Sequence, residues 1–85
     1  MLNNKQRKTL QAIFDRPTRA NIVWAEVERL IVALGGRIEN RGGSMVCLFL
    51  DGQPRLFHRP HPQKEAKKHA IDAVRAYLTT LGYDV

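Results

Sequence analysis

The sequence predicts an α+β fold: a small three-stranded antiparallel sheet packed against helices, in the order α-α-β-β-β-α. Three observations lead there. Apolar residues recur at helical spacing towards both ends of the chain, short apolar segments bounded by glycine turns fill the middle, and no linker, repeat or low-complexity stretch divides them. Eighty-five residues suffice for one small core and leave no room for a second. Residues 1–85 are therefore read as a single domain, in which 1–20 form a helical extension on a core of 21–85.

From Lys5 to Phe14, Leu10, Ile13 and Phe14 share one face while Lys5, Arg7, Lys8 and Gln11 supply a polar one, which predicts a short amphipathic helix that Pro17 ends. Asn21 is the expected N-cap of a second helix. Its apolar stripe is Trp24, Val27, Leu30, Ile31 and Leu34, and Gly35-Gly36 supply the stop.

After the glycines the period changes. Arg37 to Asn40, Ser44 to Leu50 and Arg55 to His58 read as strands, separated by the turn signals Arg41-Gly42-Gly43 and Asp51-Gly52. The middle segment is apolar at nearly every position and belongs at the centre of a meander. If Asp51 and Gly52 are the two central residues of a tight hairpin, Leu50 faces Gln53 and Met45 faces His58. A four-residue loop from Asp51 to Pro54 would instead pair Leu50 with Arg55 and move His58 away from Met45.

A last helix is predicted over Lys64 to Leu81, with Ala70, Ile71, Val74, Tyr77, Leu78 and Leu81 facing the sheet and Gly82 as its C-terminal stop. Its other face is expected to carry Lys64, Lys67, Lys68, His69 and Arg75. Trp24, Phe57 and the lone Cys47 are expected in the core, the cysteine as a small hydrophobe without a disulfide partner.

Fourteen Lys and Arg against eight Asp and Glu give a formal net charge of +6. On so small a body that excess favours an anionic partner such as nucleic acid, an anionic membrane surface or an acidic protein. No apolar run is long enough to span a membrane, and the opening MLNNKQRKTL lacks the apolar centre of a signal peptide, so a cytoplasmic location is expected.

The densest chemistry lies in RLFHRPHPQKEAKK, Arg55 to Lys68, with two histidines, two prolines and five Lys or Arg residues. Were the anionic partner RNA, cleaving it without a metal would need a base for the 2′-hydroxyl proton, a cation for the charged phosphorane and an acid for the leaving 5′-oxygen. Histidine suits the first and last because its ordinary pKa of about 6.5 populates both forms near neutrality. Arginine suits the second because its planar fork binds phosphate and stays charged. His58, Arg59 and His61 supply these types within one short segment and are the candidate catalytic residues. Arg41, Ser44, Arg55, Lys64, Lys67 and Lys68 are the candidate RNA-binding residues. No cysteine or carboxylate completes a zinc set with His58, His61 and His69, so no metal and no other cofactor is expected.

An apolar helix ending in Leu34-Gly35-Gly36, a strand, a Gly43-Ser44 turn, a hairpin, the His58-Arg59-Pro60-His61-Pro62 segment and a closing helix resemble, over about Trp24 to Gly82, the HicA family of toxin ribonucleases. The resemblance implies a fold similar to a double-stranded-RNA-binding domain, cleavage of mRNA, and neutralisation by a HicB-type antitoxin. The family's local signature is glycine and serine followed by histidine. Here Gly43-Ser44 are followed by Met45, which cannot exchange protons, so the resemblance alone does not carry the activity over. A register that sets Met45 opposite His58 would place the His58 imidazole near the volume that a histidine at 45 would fill. A non-catalytic RNA-binding or partner-binding module of the same fold is the alternative, and Met45 favours it.

Overall fold

A computed structural model describes all of residues 1–85. Three helices, α1 (Asn4–Phe14), α2 (Trp24–Ala33) and α3 (Lys68–Thr80), accompany three strands, β1 (Arg37–Asn40), β2 (Met45–Leu50) and β3 (Gln53–His58), in the order α-α-β-β-β-α. The sheet is antiparallel throughout, with β2 between β1 and β3. The α+β fold read from the sequence is the fold observed.

The hairpin takes the tight form. Leu50 pairs with Gln53 and Met45 with His58, and Asp51 and Gly52 both have positive φ, 52° and 74°, as a two-residue turn matching the twist of its strands requires. Because side chains alternate along a strand, Val46, Leu48 and Leu50 face the helices and are buried, as is Phe57 on β3. Met45, Cys47 and Phe49, with their partners His58, Leu56 and Pro54, take the other face. Leu56 is 54% exposed there.

The core joins all three layers. Trp24 of α2, Phe57 of β3 and Tyr77 of α3 form an aromatic row with ring centroids 5.5 and 6.4 Å apart, and Leu30, Ile31, Ile71, Val74 and Leu78 complete it. Trp24, Phe57 and Cys47 are buried as expected. Gly35, at φ +96°, closes α2, and a Cβ on Gly36 would run into the carbonyl oxygen of Phe49. The second glycine is thus required by close approach of backbones and the first by its conformation.

Three local expectations are corrected. Asn21 does not cap α2: the cap position is Val23, with no side-chain hydrogen bond. Instead the Trp24 N–H donates to Lys64 O at 3.0 Å and the Ala66 N–H to Ile22 O at 2.8 Å, a short antiparallel bridge centred on Val23 and Glu65. The same bridge holds Lys64 to Ala66 in extended backbone, so α3 starts at Lys68 rather than Lys64, with Lys67 as its cap. Arg75 is not on an exposed face either. It is 8% exposed and donates from Nε to Ile13 O at 2.8 Å, and from its terminal nitrogens to Asp15 O, Thr18 Oγ1 and Asp72 Oδ1. Those carbonyls belong to the C-terminal end of α1, where unpaired acceptors are in need of donors.

Candidate nucleic-acid interface

The candidate site lies where the β1–β2 turn meets the end of β3. Gly42 and Gly43 turn the chain with positive φ, 95° and 55°, and the Arg59 N–H donates to Ser44 O at 2.8 Å. That bond continues the β2–β3 ladder one pair beyond Met45 and His58. Met45 and His58 therefore form a pair without mutual backbone hydrogen bonds, the kind in which opposed side chains lie closest.

His58 is exposed, and its Nδ1 lies 3.2 Å from Ser44 Oγ. This contact leaves Nε2 directed away from the serine and available to solvent. His61 lies beyond Pro60 and lines one shallow concavity with Gly43, Ser44, Arg59 and Pro60. The structure thus gathers four of the residues singled out from the sequence, Ser44, His58, Arg59 and His61, at one end of the sheet.

Arg41 reaches the same end from the other side. Its N–H donates to Met45 O at 3.0 Å, so Arg41, Met45 and His58 form a cross-strand row, with the methionine central. The Arg41 guanidinium is 3.2 Å from Glu39 and 5.8 Å from the Phe49 ring centre.

Arg59 is held differently. Strand alternation turns it to the helix side, away from His58, and Nε and a terminal nitrogen bond the two oxygens of Glu28 on α2 at 2.8 and 3.1 Å. Its other terminal nitrogen donates to Asn40 Oδ1. Donating to the Glu28 carboxylate holds the Arg59 guanidinium more firmly protonated than usual, against the opposing effect of burial. Glu28 also accepts from the Trp24 indole N–H at 2.6 Å. Glu28 and Asn40 were not singled out from the sequence. A signal for Glu28 existed: it stands four residues after Trp24 and three before Ile31, on the apolar stripe of α2 itself.

The charge that remains free is unevenly placed. Seven of the fourteen Lys and Arg residues make ion pairs: Lys5, Arg19, Arg29, Arg37, Arg41, Arg59 and Arg75. Lys64, Lys67 and Lys68, all exposed, make none and lie together at the entry to α3, whose first turn holds no acidic residue. The partial positive charge of a helix N-terminus adds to theirs. Lys64 also lines a recess with Trp24, Glu28, Arg59 and Pro60, of which Arg59 and Pro60 line the His61 concavity as well. Arg55 is not brought into this group. It lies with Tyr77, Thr80 and Leu81, at the opposite end of a helix about 20 Å long.

A family model described as the HicA toxin of bacterial toxin-antitoxin matches residues 24–82. This chain belongs to the HicA toxin family. It is the toxin of a toxin–antitoxin pair and has an antitoxin as its counterpart. The match begins at the first residue of α2 and leaves α1 outside it. No curated protein and no solved structure matches the chain. No helix is long and apolar enough to cross a membrane.

Proposed function

We propose that this HicA-family toxin is an endoribonuclease that cleaves mRNA by histidine acid/base chemistry without metal, and that a HicB-type antitoxin neutralises it. The observation that carries the reading is the exposed His58, set opposite Met45 and bonded to Ser44, with His61 on the adjoining concavity. Its action on mRNA would take place in the cytoplasm.

In this mechanism His58 takes the 2′-hydroxyl proton at Nε2 while Nδ1–H donates to Ser44 Oγ, which fixes the tautomer the base needs. The 2′-oxygen forms a bond to phosphorus, the bond from phosphorus to the 5′-oxygen breaks, and His61 supplies the proton to the leaving oxygen. The products are a 2′,3′-cyclic phosphate and a 5′-hydroxyl. Arg41, across Met45 from His58, is the cation on the same face of the sheet. Lys64, Lys67 and Lys68 bind neighbouring phosphates, and Arg55 extends that binding towards the far end of α3. The antitoxin covers the His58 region, where Met45 and the exposed Leu56 give it apolar surface beside the histidine.

RNA labelled at its 5′ end, incubated with the antitoxin-free protein in excess chelator, should be cut to fragments ending in cyclic phosphate. The same oligonucleotide with 2′-deoxyribose at the cut positions should be resistant. Cleavage of both substrates would overturn the proposed chemistry. Binding without cleavage of either would favour the second reading, a non-catalytic RNA-binding or partner-binding module, to which Met45 lends support.

A further inference from the structure

We infer that Glu28 is a positioning residue for the proposed ribonuclease site, acting through Arg59 to hold the His58–His61 segment against the Ser44 turn. The inference rests on the ribonuclease reading for its activity readout, though not for its structural one. It also gives Arg59 a different task from the catalytic one expected of it from the sequence, that of the cation stabilising the phosphorane.

The geometry runs from the core outwards. The Trp24 ring packs against Phe57 at 5.5 Å, and its indole N–H fixes Glu28 at 2.6 Å. Glu28 closes on the Arg59 fork with two bonds, and Asn40 on β1 takes a third. Arg59 in turn pins Ser44 through its backbone N–H. One carboxylate thus connects the centre of the core to the residue that separates His58 from Pro60 and His61.

Three features set this pair apart from an ordinary surface ion pair. It is bidentate, the Glu28 side chain is only 18% exposed, and a third donor from the core holds the acceptor in place. A planar fork whose acceptor is already held by another donor, the Trp24 indole, loses little further freedom in bonding to it. Glu26, two residues earlier, is just as buried, its side chain 15% exposed, but its partners Lys5 and Arg29 are 76% and 65% exposed and no donor from the core holds it, so it serves as an internal control on the same helix. Arg59 directs three of its five N–H groups to Glu28 and Asn40, so its charge is already compensated where a phosphate would need it.

The test compares Glu28→Gln and Glu26→Gln with the parent. Glu28→Gln keeps the side-chain shape but loses the charge and one acceptor of the fork. It should lower kcat for RNA cleavage about 10- to 100-fold, as displacement of a catalytic group by about 1 Å does. KM should be unchanged or lower, because Arg59 is then freed towards the anionic substrate. Glu26→Gln should cleave like the parent. In parallel, 15N spectra of the histidine rings and of Arg59 Nε–H should show the His58 and His61 signals displaced in Glu28→Gln and those of His69 unmoved. Parent-like kcat together with unmoved His58 and His61 signals would overturn the inference. If the parent cuts no RNA, the ribonuclease reading fails by itself, and the ring spectra still decide whether Glu28 positions the segment. A raised KM with unchanged kcat would overturn it too and assign Arg59 to phosphate binding.

Discussion

Arg75 and Arg59 do the same chemistry at two ends of the molecule, and the difference between them separates what holds the fold from what shapes the site. Both close a guanidinium fork on acceptors from a distant element. Arg75, with its side chain 9% exposed, takes the carbonyls at the end of α1 and so binds the helix outside the family match to α3 inside it. Arg59, at 35%, takes Glu28 and Asn40 and binds the end of β3 to α2. Neither adds to the free positive surface that the composition suggests. Of the seven Lys and Arg residues that make no ion pair, Lys64, Lys67 and Lys68 lie together at the entry to α3, and Arg7, Lys8, Arg16 and Arg55 are the others.

If the comparison holds, the two arginines fail in different ways. Arg75→Ala should cost about 3 kcal/mol of stability, because it leaves the buried carbonyl of Ile13 and the part-buried carbonyl of Asp15 without these donors. Urea denaturation measures this, and loss of α1 from the folded state should accompany it. Arg59→Ala, nearer the surface, should cost about 1.5 kcal/mol, the low end for hydrogen bonds to a charged group, while reducing cleavage. Equal losses of stability would break the distinction.

A smaller effect is expected at the lysines. Lys67→Glu combined with Lys68→Glu should weaken RNA binding about tenfold or more at moderate salt, and should lower the slope of log affinity against log salt by about 2, one for each lysine withdrawn from a phosphate. Filter binding across a salt series reads both. Stability should change little, since both side chains are exposed and unpaired. An unchanged slope would remove the entry to α3 from the interface.

The smallest effect should be a pH dependence at the Arg75 end. The hydrogen bond from Thr18 Oγ1, with Arg75 beside it, holds the Asp72 carboxyl below its ordinary value of 3.8. A carboxyl whose pKa is depressed in the folded state adds stability above its unfolded pKa, and that contribution is lost as pH falls through the folded value. Asp72→Asn should therefore flatten the acid side of the stability profile below about pH 4 and leave stability at neutral pH only slightly reduced. Midpoints of urea unfolding measured from neutral pH into that range check it. A profile as steep as the parent's would place the acid sensitivity elsewhere.

The sheet was legible, and its hairpin register narrowed to two alternatives that the structure decides, because their determinants are local. Asp51-Gly52 permits the positive φ that a two-residue turn needs, and that turn alone sets Met45 opposite His58. What escaped the sequence depends on packing between segments far apart. The bridge of Val23 with Glu65 replaces a local cap on α2 and delays α3 by four residues, and no dipeptide announces it. Arg75 and Glu28 were more nearly readable. Arg75 stands four residues after Ile71 and three before Leu78, as Glu28 stands between Trp24 and Ile31, so each interrupts an apolar stripe at a position facing inwards. A charged residue on such a stripe implies an internal partner, although the partner itself, 31 residues away for Glu28, is set by the tertiary fold. In the site, the local segment announced the two histidines, whereas their union with Ser44 required the hairpin.

The central claim is that His58 moves protons although methionine stands at position 45. It is tested most directly by single-turnover cleavage of labelled RNA in excess chelator by the antitoxin-free protein and by His58→Ala, each first shown to be folded by its thermal transition. The account predicts cleavage by the parent and a loss of about 100-fold or more in His58→Ala. Cleavage by the variant at the parent's rate would contradict it, as would RNA left intact by both.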